Sequence, residues 1–221
     1  METSYSGQSL SANKEPFNSQ EASRKYDEQP LHAEMARRIG NALLKAYPFN
    51  EESTTVLDFA CGTELSLLYT KSILGVDSNT MNAIRNQGIP EEEMHAVCVP
   101  EELVTDVGEA PTELEKLLGG LKFDVVICCM AYHHIRSIPS ITCTLSSCLK
   151  PGGYLFVADV ESVSRPSSSA GDLELGPLEP IFSDGVCDAG IVVHQYGFSE
   201  QSIKTVFYGG WFDRCFPIRE V

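Results

Sequence analysis

Two aspartates and a pair of histidines have the types and settings to do chemistry in this sequence. Asp58 ends the apolar run TTVLDF at Thr54–Phe59, and Asp77 ends SILGVD at Ser72–Asp77. A carboxylate at such a place can cap nearby amides or accept hydrogen bonds from a ligand's hydroxyls. Behind Asp58 come the small residues Ala60, Cys61, Gly62 and Thr63. They let a ligand approach the backbone closely and let the start of a following helix face it. His133 and His134 follow the apolar run FDVVICCM and Tyr132. Imidazole can take a proton near neutrality, and of two adjacent rings one faces a site when the other turns away. A hydrogen-bonding wall residue is the plainer role for either ring.

Other chemistries lack their patterns. The eight cysteines contain no C-x-x-C pair, and several lie in apolar segments, so buried reduced thiols are expected rather than a disulfide frame or a zinc site. His194 in HQYGF adds no ligand spacing. The serines of 161–190 form no nucleophile elbow, and Gly62–Leu67 does not supply the G-x-G-x-x-G of a dinucleotide fingerprint.

The elements that must position these residues alternate. Leu31, Met35, Ile39 and Leu43 recur on one helical face after Pro30, which predicts a helix over about 31–46. Strands are predicted over 54–59, 72–77, 94–99, 123–130 and 154–160. Helices are predicted over 79–87, 113–118 with Thr112 as cap, and from Ile138 to a stop at Lys150-Pro151-Gly152-Gly153. Ser199 can cap a last helix over 200–208, and 212–218 reads as one more strand. The polar leader 1–21 precedes a domain over 22–221, within which 161–190 reads as a lid or loop. Alternation of this kind gives an α/β fold with a doubly wound, mostly parallel sheet. Ligands of such sheets sit beyond the carboxyl ends of the strands, where the winding reverses. Those ends carry the residues named above, and an acid ending the second strand suits a ribose, so an adenosine-containing ligand is expected.

Four motifs in order then resemble one family. VLDFACGT at Val56–Thr63, GVD at Gly75–Asp77, FDVVICCMAYHHI at Phe123–Ile135 and LKPGGYLFVADV at Leu149–Val160 look like those of class I S-adenosylmethionine (SAM) methyltransferases. The resemblance is greatest to the branch related to ubiquinone and menaquinone biosynthesis. It implies a Rossmann-like sheet and an enzyme that moves the methyl group of SAM to a small organic acceptor. It implies that Asp58 and Gly62 lie near the methionine part of the cofactor, that Ala60 and Thr63 also bind the cofactor, and that Asp77 holds the ribose. Met81, Val99 and Glu101 would surround the adenine, and Met130 would border the cofactor. Tyr26, Tyr132, His133 and His134 would face the acceptor, with either histidine as the base.

The sequence also departs from the family. Glu64 stands where another glycine is usual, the stretch from Asp58 to Asp77 is about one helical turn short, and the region after the fifth strand implies a shortened sheet edge. These departures motivate a second reading, a catalytically impaired methyltransferase fold that binds or regulates. The 221 residues carry 16 Lys and Arg against 31 Asp and Glu, a formal charge of −15, which disfavours nucleic acid and anionic membrane as partners. No apolar run approaches the roughly 18 residues of a membrane span, and the polar start has no apolar signal core, so a cytoplasmic or nuclear location is expected.

Overall fold

The computed structural model describes residues 30–61, 72–77, 94–98, 111–162 and 192–208, with 72, 77, 94–98 and 111–113 described by backbone alone. The helix expected over 79–87, most of the 161–190 segment, the strand expected over 212–218 and the leader lie outside these residues. The elements in chain order are α1 (Pro30–Ala46), β1 (Thr55–Phe59), β2 (Ser72–Asp77), β3 (Met94–Cys98), α2 (Pro111–Leu117), β4 (Phe123–Cys129), α3 (Ile138–Ser147), β5 (Leu149–Ala158) and α4 (Glu200–Tyr208). A 3-10 turn, Tyr132–His134, separates β4 from α3.

The strands form one sheet in the order β3-β2-β1-β4-β5, every pair parallel. The chain steps outward from β1 to β2 and β3, then returns to the other side of β1 with β4 and β5. Winding therefore reverses between β1 and β4, the place where such sheets take ligands.

Helices cover both faces because the central strands are apolar on both. Leu57 and Phe59 of β1 and Val126 and Cys128 of β4 pack with Leu114 and Leu118 around α2 and with Ile138, Ile141 and Leu145 of α3. The alternate residues Val56, Val125 and Ile127 pack on the opposite face with Leu43 and Ile39 of α1. Each fully buried side chain of this size is worth about 1.5–3 kcal/mol, so the two layers lock the strand ends that must hold the site. Among the described residues no helix is long and apolar enough to cross a membrane.

The amino ends of three strands are tied together by charge. Asp124 accepts hydrogen bonds from the Thr55 amide and hydroxyl, both at 2.8 Å, and from the Lys150 ammonium at 2.8 Å. Burial alone would raise this carboxyl, but Lys150 and Thr55 outweigh it and hold it below the usual aspartate range.

Two expectations are corrected. β5 begins at Leu149, not Tyr154, because Leu149 pairs with Phe123 before the ladder shifts and resumes at Val125 and Tyr154. The Pro151-Gly152-Gly153 stretch is thus an irregularity inside the strand, with Gly152 at φ 79°. The thiol expectation holds for Cys61, Cys128, Cys129 and Cys148, which form no disulfide, whereas Cys143 on α3 is disulfide-bonded. Ser199 caps α4 as expected, its hydroxyl accepting the Ser202 amide at 3.1 Å.

Candidate functional site

The carboxyl ends of β1 and β4, the strands that flank the reversal, both turn through unusual backbone. Ala60 follows β1 at φ 57° and Met130 follows β4 at φ 53°. Left-handed backbone at a residue other than glycine costs on the order of 1–3 kcal/mol and clusters at functional sites. Each turn is held from the neighbouring strand: the Ala60 amide donates to the Val76 carbonyl at 2.6 Å, and the Met130 amide to the Ala158 carbonyl at 2.7 Å.

Asp58 is buried at 7% exposure. Its backbone partners are Gly75 on β2 and Ile127 on β4. Asp77 stands two residues beyond Gly75, at the tip of β2, so the register brings both aspartates to adjacent strand ends.

On the other side of the reversal, β4 runs into the 3-10 turn. Tyr132 was expected to face an acceptor. Instead its ring is fully enclosed in the core, and its hydroxyl lies 2.9 Å from that of Thr142 on α3. Burial pushes this phenol upward from its ordinary pKa. The reason is the turn itself: residues of one 3-10 turn point in three directions, and Tyr132 takes the direction of α3.

His133 points to the end of β5. Its Nδ1 is 2.8 Å from Asp159 Oδ1, and its main-chain amide donates to Asp159 Oδ2 at 3.1 Å. The Val160 amide donates to Oδ1 at 2.7 Å. Both side chains are enclosed, at 5% exposure for His133 and 4% for Asp159. The His134 ring lies 4.1 Å from that of His133, centre to centre.

A further segment closes on this turn. The Val193 and His194 amides both donate to the His133 carbonyl at 2.9 Å, and His194 Nε2 donates to the Ile135 carbonyl at 3.0 Å. Phe198 pairs with Glu161 as an isolated parallel bridge beyond β5. Gly197 makes the approach possible. It sits at φ 67°, and a Cβ there would fall 2.4 Å from the Val160 carbonyl oxygen.

The electrostatics of the strand tips are negative. Cys129 at the end of β4 is pushed up to about 12, first by burial and then by the charge of Asp58, with Asp159 adding to it. Cys128 is raised too, first by burial, then by Cys129 and the same two acids. Two enclosed carboxylates, from β1 and the end of β5, thus act on one strand end. That field favours a cation over an anion.

Of the residues singled out from sequence, the structure brings Asp58, Ala60, Met130, His133 and His134 to the ends of β1 and β4, with the backbone of Asp77 next to them. Tyr26, Gly62, Thr63, Met81, Val99 and Glu101 lie outside the described residues, as does Glu64. Asp159 was missed, although it ends a predicted strand as Asp58 and Asp77 do. A third acid in that position was the available signal. Among the described residues, no three His, Cys, Asp or Glu side chains are grouped to hold a metal. A surface depression of about 490 Å³ beside Leu44, Tyr47 and Phe49 lies before β1, at the amino ends of the strands and away from all these residues.

Comparisons with known proteins bear on the family of the chain. A family model described as a methyltransferase domain matches residues 31–181. An uncharacterized methyltransferase of Schizosaccharomyces pombe, C1347.09, is 36% identical over 169 residues, covering 72% of this chain and 53% of that protein. The chain thus spans about half the length of this curated relative. Among solved structures, a DhpI-SAM-HEP complex is similar at 16% identity and a TM-score of 0.49, over 73% of this chain and 69% of that one. A DhpI-SAH complex is similar at 13% identity and 0.48, over 69% of each chain. With 151 of its 221 residues inside the match, from 31 to 181, this chain belongs to the methyltransferase domain family.

Proposed function

We propose that this domain binds SAM across the carboxyl ends of β1, β2 and β4 and transfers its methyl group to a small organic acceptor. The observation that carries the reading is the enclosed Asp58 at the reversal point, on a strand end adjacent to the one that closes with Asp77. When bound, SAM supplies a sulfonium-activated methyl group. The residues fit such a ligand: enclosed acids suit its cationic centres, and Ala60 and Cys61 bring backbone rather than bulk to the strand tip.

In this proposal Asp58, Ala60, Gly62 and Thr63 surround the methionine part, Asp77 accepts the ribose hydroxyls, and Met81, Val99 and Glu101 surround the adenine. Met130 borders the cofactor at the second left-handed turn. His133, His134 and Tyr26 stand on the acceptor side, while Tyr132 supports the turn from the core. The chain's contribution is alignment of two reactants and exclusion of water, effects that can supply about 7–11 kcal/mol of a barrier. The deficit of basic residues across the chain supports a small acceptor over a nucleic acid.

Calorimetry with SAM and with its demethylated product, S-adenosylhomocysteine, tests the reading. Both should bind, and Asp58→Asn and Asp77→Asn should each weaken binding by about tenfold or more, the loss of a charge-assisted hydrogen bond. Absence of heat with either compound at millimolar concentration would sink the proposal.

A further inference from the structure

We infer that Asp159 is a charge-selecting residue of the cofactor site: its enclosed carboxylate favours the sulfonium ligand over the neutral thioether that methyl transfer leaves behind. The inference rests on the cofactor reading above. It adds to that reading what loosens the product after each turnover.

Position comes first. β4 lies between β1 and β5 in the sheet. Its last residue, Cys129, pairs with Ala158, and the Met130 amide that follows donates to the Ala158 carbonyl at 2.7 Å. Asp159 is the next residue of the chain after Ala158, and Asp58 ends β1 on the other side. A cation resting on the exit of β4 therefore has one acid on each flank.

Charge comes second. The Asp159 carboxylate accepts from the Val160 amide at 2.7 Å and the His133 amide at 3.1 Å, with His133 Nδ1 at 2.8 Å. Main-chain amides orient a carboxylate without cancelling its charge, and a neutral imidazole donating from Nδ1 does the same. Among the described residues no lysine or arginine pairs with it. The side chain is 4% exposed, so little water screens it. The Cys129 thiol is raised first by burial, but Asp58 and Asp159 both raise it as well, which puts the field of both acids at the exit of β4.

The two forms of the ligand differ in the property this field reads. S-adenosylmethionine and S-adenosylhomocysteine share every group except the transferred methyl and one positive charge at sulfur. In the transfer the acceptor bonds to the methyl carbon, and the carbon–sulfur bond breaks with its electron pair going to sulfur. The positive charge leaves with the methyl group. An enclosed acid beside the site then loses an attraction at the moment the product must depart. A carboxylate that only clamped β5 to the turn after β4 would serve both forms alike.

Calorimetry on the whole chain with three ligands is the test: SAM, S-adenosylhomocysteine, and sinefungin, in which an amine-bearing carbon replaces the sulfonium. The wild type should bind SAM and protonated sinefungin more tightly than S-adenosylhomocysteine. Asp159→Asn should reduce both preferences by about threefold or more, because a unit charge inside a protein is far less screened than in water. Asp159→Glu keeps the charge and should keep the wild-type preferences. A loss of structure alone weakens all three ligands together and leaves their ratios unchanged, so unchanged ratios in Asp159→Asn overturn the inference. That result is also the one expected were a protonated His133 cancelling the charge. Asp159→Glu behaving as Asp159→Asn overturns it too. If neither variant folds, the wild type still decides, since S-adenosylhomocysteine held as tightly as the two cations would leave no charge selection to assign. Should no ligand bind the wild type, the cofactor reading itself falls. Binding with unresponsive ratios leaves that reading standing and removes only the role of Asp159.

Discussion

Ser146 lies on the face of α3 turned to the core, and its hydroxyl is enclosed without a hydrogen-bond partner. Its neighbours Thr142 and Thr144 return their hydroxyls to the helix carbonyls of Ile138 and Ser140. An enclosed hydroxyl with no partner carries a desolvation cost of about 1–3 kcal/mol. Ser146→Ala should therefore stabilise the protein by about 1 kcal/mol, seen in urea titration as a higher midpoint at unchanged slope. At this same scale the site was only partly legible in the sequence. Asp58 announced itself by ending an apolar run before small residues. Asp159 did not, because its partner His133 lies 26 positions away on another strand's turn, and single-chain spacing holds no record of cross-strand neighbours. Tyr132 shows the converse, since adjacency to two site histidines says nothing of which way a 3-10 turn sends each ring.

Among the elements, the Asp124, Thr55 and Lys150 group joins the starts of β1, β4 and β5. Because Asp124 titrates lower when folded than unfolded, its bonds contribute fully above the ordinary aspartate range, about pH 4, and fade as pH falls through the lowered folded value. Lys150 is 40% exposed, so solvent discounts the pair. Asp124→Asn should cost about 1 kcal/mol near pH 7 and progressively less below about pH 4, measured by urea titration at each pH. A gap that stayed constant through the acid range would remove the charge argument. Gly197 has a separate task, letting the 192–198 segment lie on Val160. Gly197→Ala should detach that segment, raising hydrogen exchange at the Phe198 amide, which now donates to Val160 at 2.9 Å, and costing about 1–3 kcal/mol. Element type was well marked in the sequence, as α1, β2 and α4 show, because their periods are long or their caps distinct. The start of β5 was not. Proline and two glycines are turn signals, and only pairing of Leu149 with Phe123, a tertiary fact, keeps the strand running through them.

For the whole molecule, the formal charge of −15 sets a self-repulsion that the compact state must bear. Salt screens it with a Debye length falling from about 10 Å at 0.1 M to about 3 Å at 1 M, so the midpoint of thermal unfolding should rise with sodium chloride over that range. A falling midpoint would place the net effect in attractive pairs such as Lys150 and Asp124 instead. The strand order carries one last consequence. Because β1, β2 and β3 come from the first part of the chain and β4 and β5 from the second, a nick between β3 and α2 would yield two contiguous halves whose sheet meets at the seam of β1 and β4, with helices of each half packed across it. A ligand lying over that seam, touching Asp58 on one half and the Met130 turn on the other, would act as a stitch. Its presence would be legible as the reassembly of severed fragments.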